Sequence, residues 1–400
     1  MTVKRILLHP KPQSRLSSLK IGREMRLFAS LLRLLLRLLR LLRLLRRWPS
    51  GLSFWASLLA MSTLCACPQP IRSQPPSPFI RGVGLGLFAT DENWDYGPLL
   101  DEVKATGATD VLLVVPLYQN NVRSHDMGPL LGKTPSDVTI LRTLHQVAKR
   151  GMRATFLPIV RLQNRKRTEW RGRIQPTAGV DAWFDAYEKH VLRYATLAEK
   201  GKAVRFIVGS ELLSLERVER RWRSLISKTR KRFHGKMTYS ANWDHFAPIG
   251  FWDALDEVGV TAYFELVKHL GPVKDAELDE GWRGPRQNLA SLKRRMKKPL
   301  FITEVGYPSK VTAARYPWDE TRKAPIDQAL QAQLYDAFCR NFANADVIDG
   351  YFFWNWFGFG GPSDGDYTPR QKPAAKFLQR CLALSSWDVK RRAPPVSKKP

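Results

Sequence analysis

Between Gly82 and Leu384, short apolar runs and helical stretches alternate eight times, and few folds accept that pattern. The runs are Val83–Phe88, Asp110–Val115, Arg153–Ile159, Ala203–Val208, Met237–Ala241, Val258–Ala262, Leu300–Thr303 and Ile348–Trp354. Most are rich in Val, Ile, Leu and Phe and flanked by Gly, Pro or Asp, which marks buried strands. Helical stretches separate them, near Tyr96–Thr106, Pro135–Arg150, Val180–Lys200, Leu215–Phe233, Phe251–Leu255, Arg286–Met296, Pro325–Phe342 and Pro373–Ala383. Ser136 is placed as an N-cap, Gly151 and Gly201 follow helix ends, and Pro285 precedes Arg286 as at a helix start. Regular alternation predicts a parallel sheet. Eight units predict an α/β fold closed as a (β/α)8 TIM barrel. The rival is an open doubly wound sheet. Its nucleotide-binding variants need a Gly-rich loop after the first strand, but Gly82, Gly84 and Gly86 lie within the strand run, so GxGxG is not a dinucleotide fingerprint here.

In a barrel of this kind the C-terminal strand ends gather on one face, where catalytic groups stand. The fourth run, RFIVGSE, ends at Glu211; the seventh, PLFITEVGYPS, ends at Glu304 before Gly306 and Pro308 break the chain. One strand-end glutamate is as well explained by an ion pair. Two on opposed strands suit glycosidic cleavage, in which one carboxyl protonates the leaving oxygen and the other attacks the anomeric carbon or activates water.

The other strand ends supply candidate sugar-binding groups. Trp94 follows the first strand, Asn120 and Asn121 the second after Tyr118, and Arg161 ends the third. Asn242 and Trp243 end the fifth, and Trp354 and Trp356 flank Asn355 on the eighth. At a strand's period of two, Trp354 and Trp356 share a face. Each has an ordinary alternative, as core ring, loop amide or ion pair. Asp364 and Asp366 in the Gly-rich loop after strand eight allow a calcium loop, on the weak evidence of two acids with DGD spacing. His125, His190 and His245 are scattered, so no metal and no cofactor are implied.

GSEL at Gly209–Leu212 and ITEVGYPS at Ile302–Ser309 resemble the acid/base and nucleophile strands of the (β/α)8 glycosidase clan with glutamates on strands four and seven. With GLGLF on strand one, VTAYFE on strand six and YFFWNW on strand eight, the chain is most similar to glycoside hydrolase family 113, the β-mannanases, and its relatives. The resemblance implies Glu211 as acid/base, Glu304 as nucleophile, and Tyr263 at the end of strand six as the residue that orients the nucleophile. It implies that the tyrosine bond keeps Glu304 ionised while the closeness of the carboxylates keeps the proton on Glu211. Ser210 stands where much of the clan has an Asn that bonds the sugar 2-hydroxyl. Family 113 resembles this chain in lacking that Asn, so another group must recognise the hydroxyl.

The formal charge of +29 invites a nucleic-acid reading, so its location matters. Residues 1–80 carry +13 and the tail from Asp388 carries +4, leaving +12 for the body, with bases largely on predicted helices. Solvated barrel helices explain this without nucleic acid; attraction to anionic membrane or polymer surfaces is the alternative.

Residues 31–47 are a Leu/Arg repeat with a period near three, which winds Arg around a helix and makes a poor amphipathic face. Leu52–Leu64 is uncharged and too short to span a bilayer, and LCAC follows at Leu64–Cys67. This ending resembles a bacterial lipobox and implies lipidation of Cys67. A cleaved secretory signal, an uncleaved anchor and a cytoplasmic protein remain open. The expected divisions are an extension and signal at 1–66, a Pro-rich tether at 67–80, the barrel at 81–387 and a disordered basic tail at 388–400. Cys339 and Cys381 pair in an oxidising compartment or stay as buried thiols.

The expectation is an exported, membrane-tethered, monomeric retaining glycoside hydrolase acting on a β-linked poly- or oligosaccharide, with mannan-type substrates favoured by resemblance. A non-catalytic carbohydrate-binding envelope lipoprotein is the alternative.

Overall fold

The computed structural model describes residues 79–166, 168–342 and 346–383. The N-terminal extension, the tether through residue 78, Cys67 and the basic tail lie outside them. Among the described residues no helix is long and apolar enough to cross a membrane.

Eight parallel strands close into a barrel: β1 Ile80–Gly86, β2 Asp110–Gln119, β3 Arg153–Leu162, β4 Arg205–Ser210, β5 Lys236–Ala241, β6 Val258–Thr261, β7 Leu300–Val305 and β8 Gly350–Phe353. Neighbours pair in sequence order, and β1 pairs with both β2 and β8, so the sheet has no open edge. This excludes the doubly wound alternative. A two-residue ribbon, Met127–Gly128, runs antiparallel to the end of β2.

Both faces of each strand are buried, which is why the runs are continuously apolar and do not alternate with polar residues. The period of two divides them. Leu112, Val114, Leu157, Ile159, Ile207, Phe301 and Phe352 fill the barrel interior. Val111, Leu113, Val115, Phe156, Phe206, Val208 and Ile302 pack outward under the helices. A Cβ at Gly82 would come within 2.2 Å of the Phe352 ring, so this glycine serves interior packing. The interior also holds a charge: Arg205 bonds Glu257 at 2.5 and 3.1 Å and lies 5.1 Å over the Phe301 ring.

The outer layer is α1 Gly97–Ala105, α2 Asp137–Lys149, α3 Val180–Lys200, α4 Glu219–Arg230, α5 Asp275–Met296, α6 Gln328–Phe342 and α7 Ala374–Ala383. Ser136 caps α2 by accepting from the Thr139 N–H at 3.2 Å. Between β5 and β6 the expected short helix is a single 3-10 turn, Trp252–Ala254. The Leu215–Phe233 stretch divides into a 3-10 turn, Leu213–Leu215, and α4. The largest difference is α5, which begins at Asp275 and runs through Pro285. A proline inside a helix removes one hydrogen bond and crowds the carbonyl four residues before it, and packing outweighs that cost here. The buried face formed by Leu278, Trp282, Leu289 and Leu292 continues across the proline, and Glu277 reaches back to the Lys274 N–H at 2.8 Å to cap the start.

Many helix cations meet acids on neighbouring elements: Arg150 with Asp101, Arg193 with Asp137, Arg221 with Asp185, Arg223 with Asp253, and Arg340 with Asp279. Exposed pairs of this kind contribute little stability each. Cys339 of α6 and Cys381 of α7 form a disulfide, with a Cα–Cα distance of 5.6 Å.

Candidate active site

Glu304 is in β7, buried with 2% exposure, and its carbonyl accepts the Ala262 N–H at 2.7 Å beyond the end of β6. That pairing carries Tyr263 past the strand end and over the carboxylate, where its hydroxyl donates to Glu304 Oε2 at 3.0 Å. Oε1 of Glu304 is buried and has no hydrogen-bond partner among the described residues. One oxygen is therefore anchored and the other free. Tyr263 is itself held edge-on by Tyr367, whose hydroxyl donates to the Pro317 carbonyl at 2.6 Å.

Glu211 follows β4 and is 6% exposed. Its Oε2 accepts from Nη2 of Arg171 at 2.8 Å. Arg171 opens a 3-10 turn, Arg171–Arg173, in the loop after β3. Nothing in the sequence of that loop distinguished it from its neighbours Arg165, Lys166 and Arg173. Burial disfavours its charge, but the fields of Glu211 and Glu304 outweigh burial and hold the guanidinium protonated.

The electrostatics of Glu304 differ from the expectation. Burial, then the charge of Glu211, push its carboxyl up to about 8, and the opposing influences of Arg171 and the Tyr263 hydrogen bond do not offset them. The tyrosine bond alone therefore does not keep Glu304 ionised.

The remaining candidates divide. Trp354 is partly buried and packs against Phe88, with ring centroids 6.4 Å apart. Arg161 is exposed and lies 4.8 Å over the same Phe88 ring, with no carboxylate partner among the described residues. Asn242 is 7% exposed and its amide bonds Asp244 at 2.6 Å. Trp243 stacks on Trp318 at 5.2 Å, and Trp318 is 41% exposed. Trp318 lies in the long loop after β7, away from any strand pattern that would place it. Asn120 is spent on a loop contact, accepting from Asn164 Nδ2 at 2.6 Å. Trp94 is half-exposed, and its carbonyl is bound by Arg142 of α2.

Trp356 does not share a face with Trp354. β8 ends at Phe353, so the period of two stops before either ring. Trp356 is 5% exposed and its indole N–H donates to Glu102 of α1 at 2.8 Å. Arg370 grips the same carboxylate at 2.6 and 2.7 Å. Trp356 is thus a packing residue. In the loop after β8, the Lys372 ammonium occupies the centre of the acidic turn. It bonds Asp364 Oδ1 at 2.9 Å, Ser309 Oγ at 2.8 Å and the Asp366 carbonyl at 3.0 Å. Among the described residues no cluster is built to hold a metal.

A closed (β/α)8 barrel with two glutamates at the ends of strands four and seven, one anchored by a tyrosine and one by an arginine, defines a barrel glycoside hydrolase. The family model of Glycoside Hydrolase Family 113 matches residues 86–359. The chain belongs to that family and acts as a glycoside hydrolase on a carbohydrate substrate. Among solved structures it is similar to the GH113 β-mannanase AaManA from Alicyclobacillus acidocaldarius, in complex with ManMIm: 24% identity, 77% of this chain and 98% of that one, TM-score 0.69. A GH113 β-1,4-mannanase shows 22% identity over 76% of this chain and 99% of its own, also with TM-score 0.69. A β-glucuronidase from Ruminococcus gnavus shares the barrel alone, at 12% identity over 76% of this chain and 50% of its own, TM-score 0.51. No curated protein matches the chain.

Proposed function

We propose that the protein hydrolyses a β-linked, mannan-type poly- or oligosaccharide with retention of configuration, using Glu304 as nucleophile and Glu211 as acid/base. One observation carries this reading. Tyr263 anchors Oε2 of Glu304 and leaves Oε1 free, beside an Arg171-bound Glu211 on the opposed strand. Oε1 attacks the anomeric carbon while Glu211 protonates the departing oxygen, giving a glycosyl ester. Glu211 then takes a proton from water as the water cleaves the ester. Attack needs Glu304 as the carboxylate, so its raised carboxyl sets the acidic limb of the pH–rate profile. Mannan as substrate rests on the two family members named above, which are β-mannanases.

Glu304→Ala is expected to abolish hydrolysis. Azide added to it is expected to give glycosyl azide of the opposite anomeric configuration to the wild-type product. Full activity in the variant overturns the assignment. A polysaccharide panel with product analysis, run on residues 79–387, tests the mannan preference. A non-catalytic binding lipoprotein predicts retention on the same polymers without turnover.

Export, with a lipid anchor at Cys67 and a monomeric body, belongs to the same proposal. The Leu64–Cys67 motif and the Cys339–Cys381 pairing support it. Mass analysis of the mature N-terminus checks the anchor, and gel filtration checks the monomer.

A further inference from the structure

The backbone at Glu211 is held by two side chains to which the proposed reaction gives no part. Glu211 has φ of +53°, in the left-handed region. That conformation is strained for a residue with a Cβ, so its surroundings must impose it. The Glu211 N–H donates to the Ser240 carbonyl at 2.9 Å. The next N–H, of Leu212, donates to the Tyr239 hydroxyl at 2.8 Å. That hydroxyl donates in turn to Glu216 Oε1 at 2.8 Å. The directions are forced, because an amide N–H only donates and the tyrosine proton is then left for the carboxyl.

Both side chains are enclosed. Tyr239 has no exposure and Glu216 has 3%. A Cβ on Gly209, two residues before Glu211, would meet Trp222 at 2.9 Å and the Tyr239 ring at 3.1 Å. Trp222 and Phe251 flank that ring with centroids at 5.1 and 5.4 Å. Among the described residues no Lys or Arg pairs with Glu216. Its Oε2 is buried and unbonded, with His245 Nε2 4.0 Å away. Burial lifts its carboxyl to about 7. A carboxyl buried at this cost makes one hydrogen bond, and that bond leads to the peptide joined to Glu211.

We propose that Tyr239 and Glu216 are positioning residues for Glu211: together they pin the Glu211–Leu212 peptide and so aim the acid/base carboxyl at the leaving oxygen. The inference rests on the reading of Glu211 as acid/base. A misplacement of about 1 Å at a reacting group can cost about 10²-fold in rate. Here the loss falls only where the leaving group needs a proton. Phenolate leaves poorly without one, whereas 2,4-dinitrophenolate leaves almost unaided.

The test compares kcat/KM of the whole chain on phenyl and 2,4-dinitrophenyl β-mannobiosides. Tyr239→Phe and Glu216→Ala are expected to lose about 10²-fold on the phenyl substrate and little on the dinitrophenyl one. Glu216→Gln keeps an acceptor for the tyrosine and is expected to recover most of the loss. The ratio of the two substrates does not depend on how much enzyme is folded, so a merely destabilised variant leaves it unchanged. Equal losses on both substrates in Tyr239→Phe, or an unchanged ratio in Glu216→Ala, overturn the proposal. Glu211→Ala is the reference: if it too loses equally on both, the acid/base reading is what fails.

Discussion

Nη2 of Arg171 lies 2.8 Å from Oε2 of Glu211, a contact made across 40 residues by the loop after β3. Nε of the same guanidinium is buried and has no hydrogen-bond partner among the described residues. Both carboxylates act on this cation, and it is the charge that opposes the uptake of a proton by Glu304. Replacing it with an isosteric apolar chain, Arg171→Met, removes that opposition and raises the Glu304 carboxyl further. The acidic limb of the kcat/KM profile is expected to move to higher pH, and kcat/KM to fall by about 10²-fold. A full pH–rate profile of the variant checks both; an unmoved acidic limb contradicts the electrostatic role.

Tyr263→Phe deletes the one hydrogen bond to Glu304 Oε2 and leaves the ring in place. A hydrogen bond to a charged group is worth roughly 1.5–3 kcal/mol, so kcat/KM is expected to fall about 10- to 10²-fold. The bond also lowers the Glu304 carboxyl, so the acidic limb again moves up. Combining the two variants tests whether Arg171 and Tyr263 act on one group, since their effects are then less than additive.

The buried carboxyl of Glu304 costs stability in a defined pH window. Its folded-state value is about 8, above the ordinary 4.5. Between those values the unfolded chain has released the proton and the folded chain still holds it. Stability therefore falls as pH rises through this window and levels off above it. Glu304→Gln removes the linkage. Its Tm is expected to exceed that of the wild type, by a margin that grows between about pH 5 and pH 8. Thermal melts of both proteins across that range check the sign. A margin that shrinks with pH contradicts it.

Trp318 stacks on Trp243, with planes 21° apart, and keeps a large exposed surface. Such a pair suits the apolar face of a sugar ring. Trp318→Ala is expected to raise KM about tenfold, a loss of about 1.4 kcal/mol of binding, with kcat little changed. Steady-state kinetics on the accepted polysaccharide separate this from a catalytic role, which would lower kcat.

The Cys339–Cys381 bridge closes a segment with a sequence separation of 42 and ties α6 to α7. Loop-closure entropy for that length is worth about 4 kcal/mol. Cys381→Ser is expected to lower Tm clearly. Reductant is expected to lower the wild-type Tm and leave that of the variant unchanged, and a calorimetric scan with and without dithiothreitol decides it.

Much of the molecule is legible in its sequence. The eight strand runs, Ser136 as a cap, and Glu211, Glu304 and Tyr263 at strand ends all follow from local pattern and from where a barrel exposes its strands. What failed locally failed for physical reasons. Pro285 reads as a helix start, yet the buried face of α5 continues through it. Trp356 reads as the partner of Trp354, yet the strand ends before both. The acidic turn at Asp364 reads as a weak cation site, and Lys372 fills it from within the chain.

By itself the sequence determined the eight alternating units and the two strand-end carboxylates, because strand periodicity and strand-end position are local properties that one stretch of chain expresses alone; closure of the sheet was decided by the pairing of β1 with β8. Only the tertiary structure decided what surrounds those carboxylates. Arg171 meets Glu211, Tyr239 meets Leu212, and Trp318 meets Trp243 through loops whose paths depend on contacts across the whole fold. The elevated Glu304 carboxyl is likewise a property of burial, which no stretch of sequence possesses until the barrel closes around it.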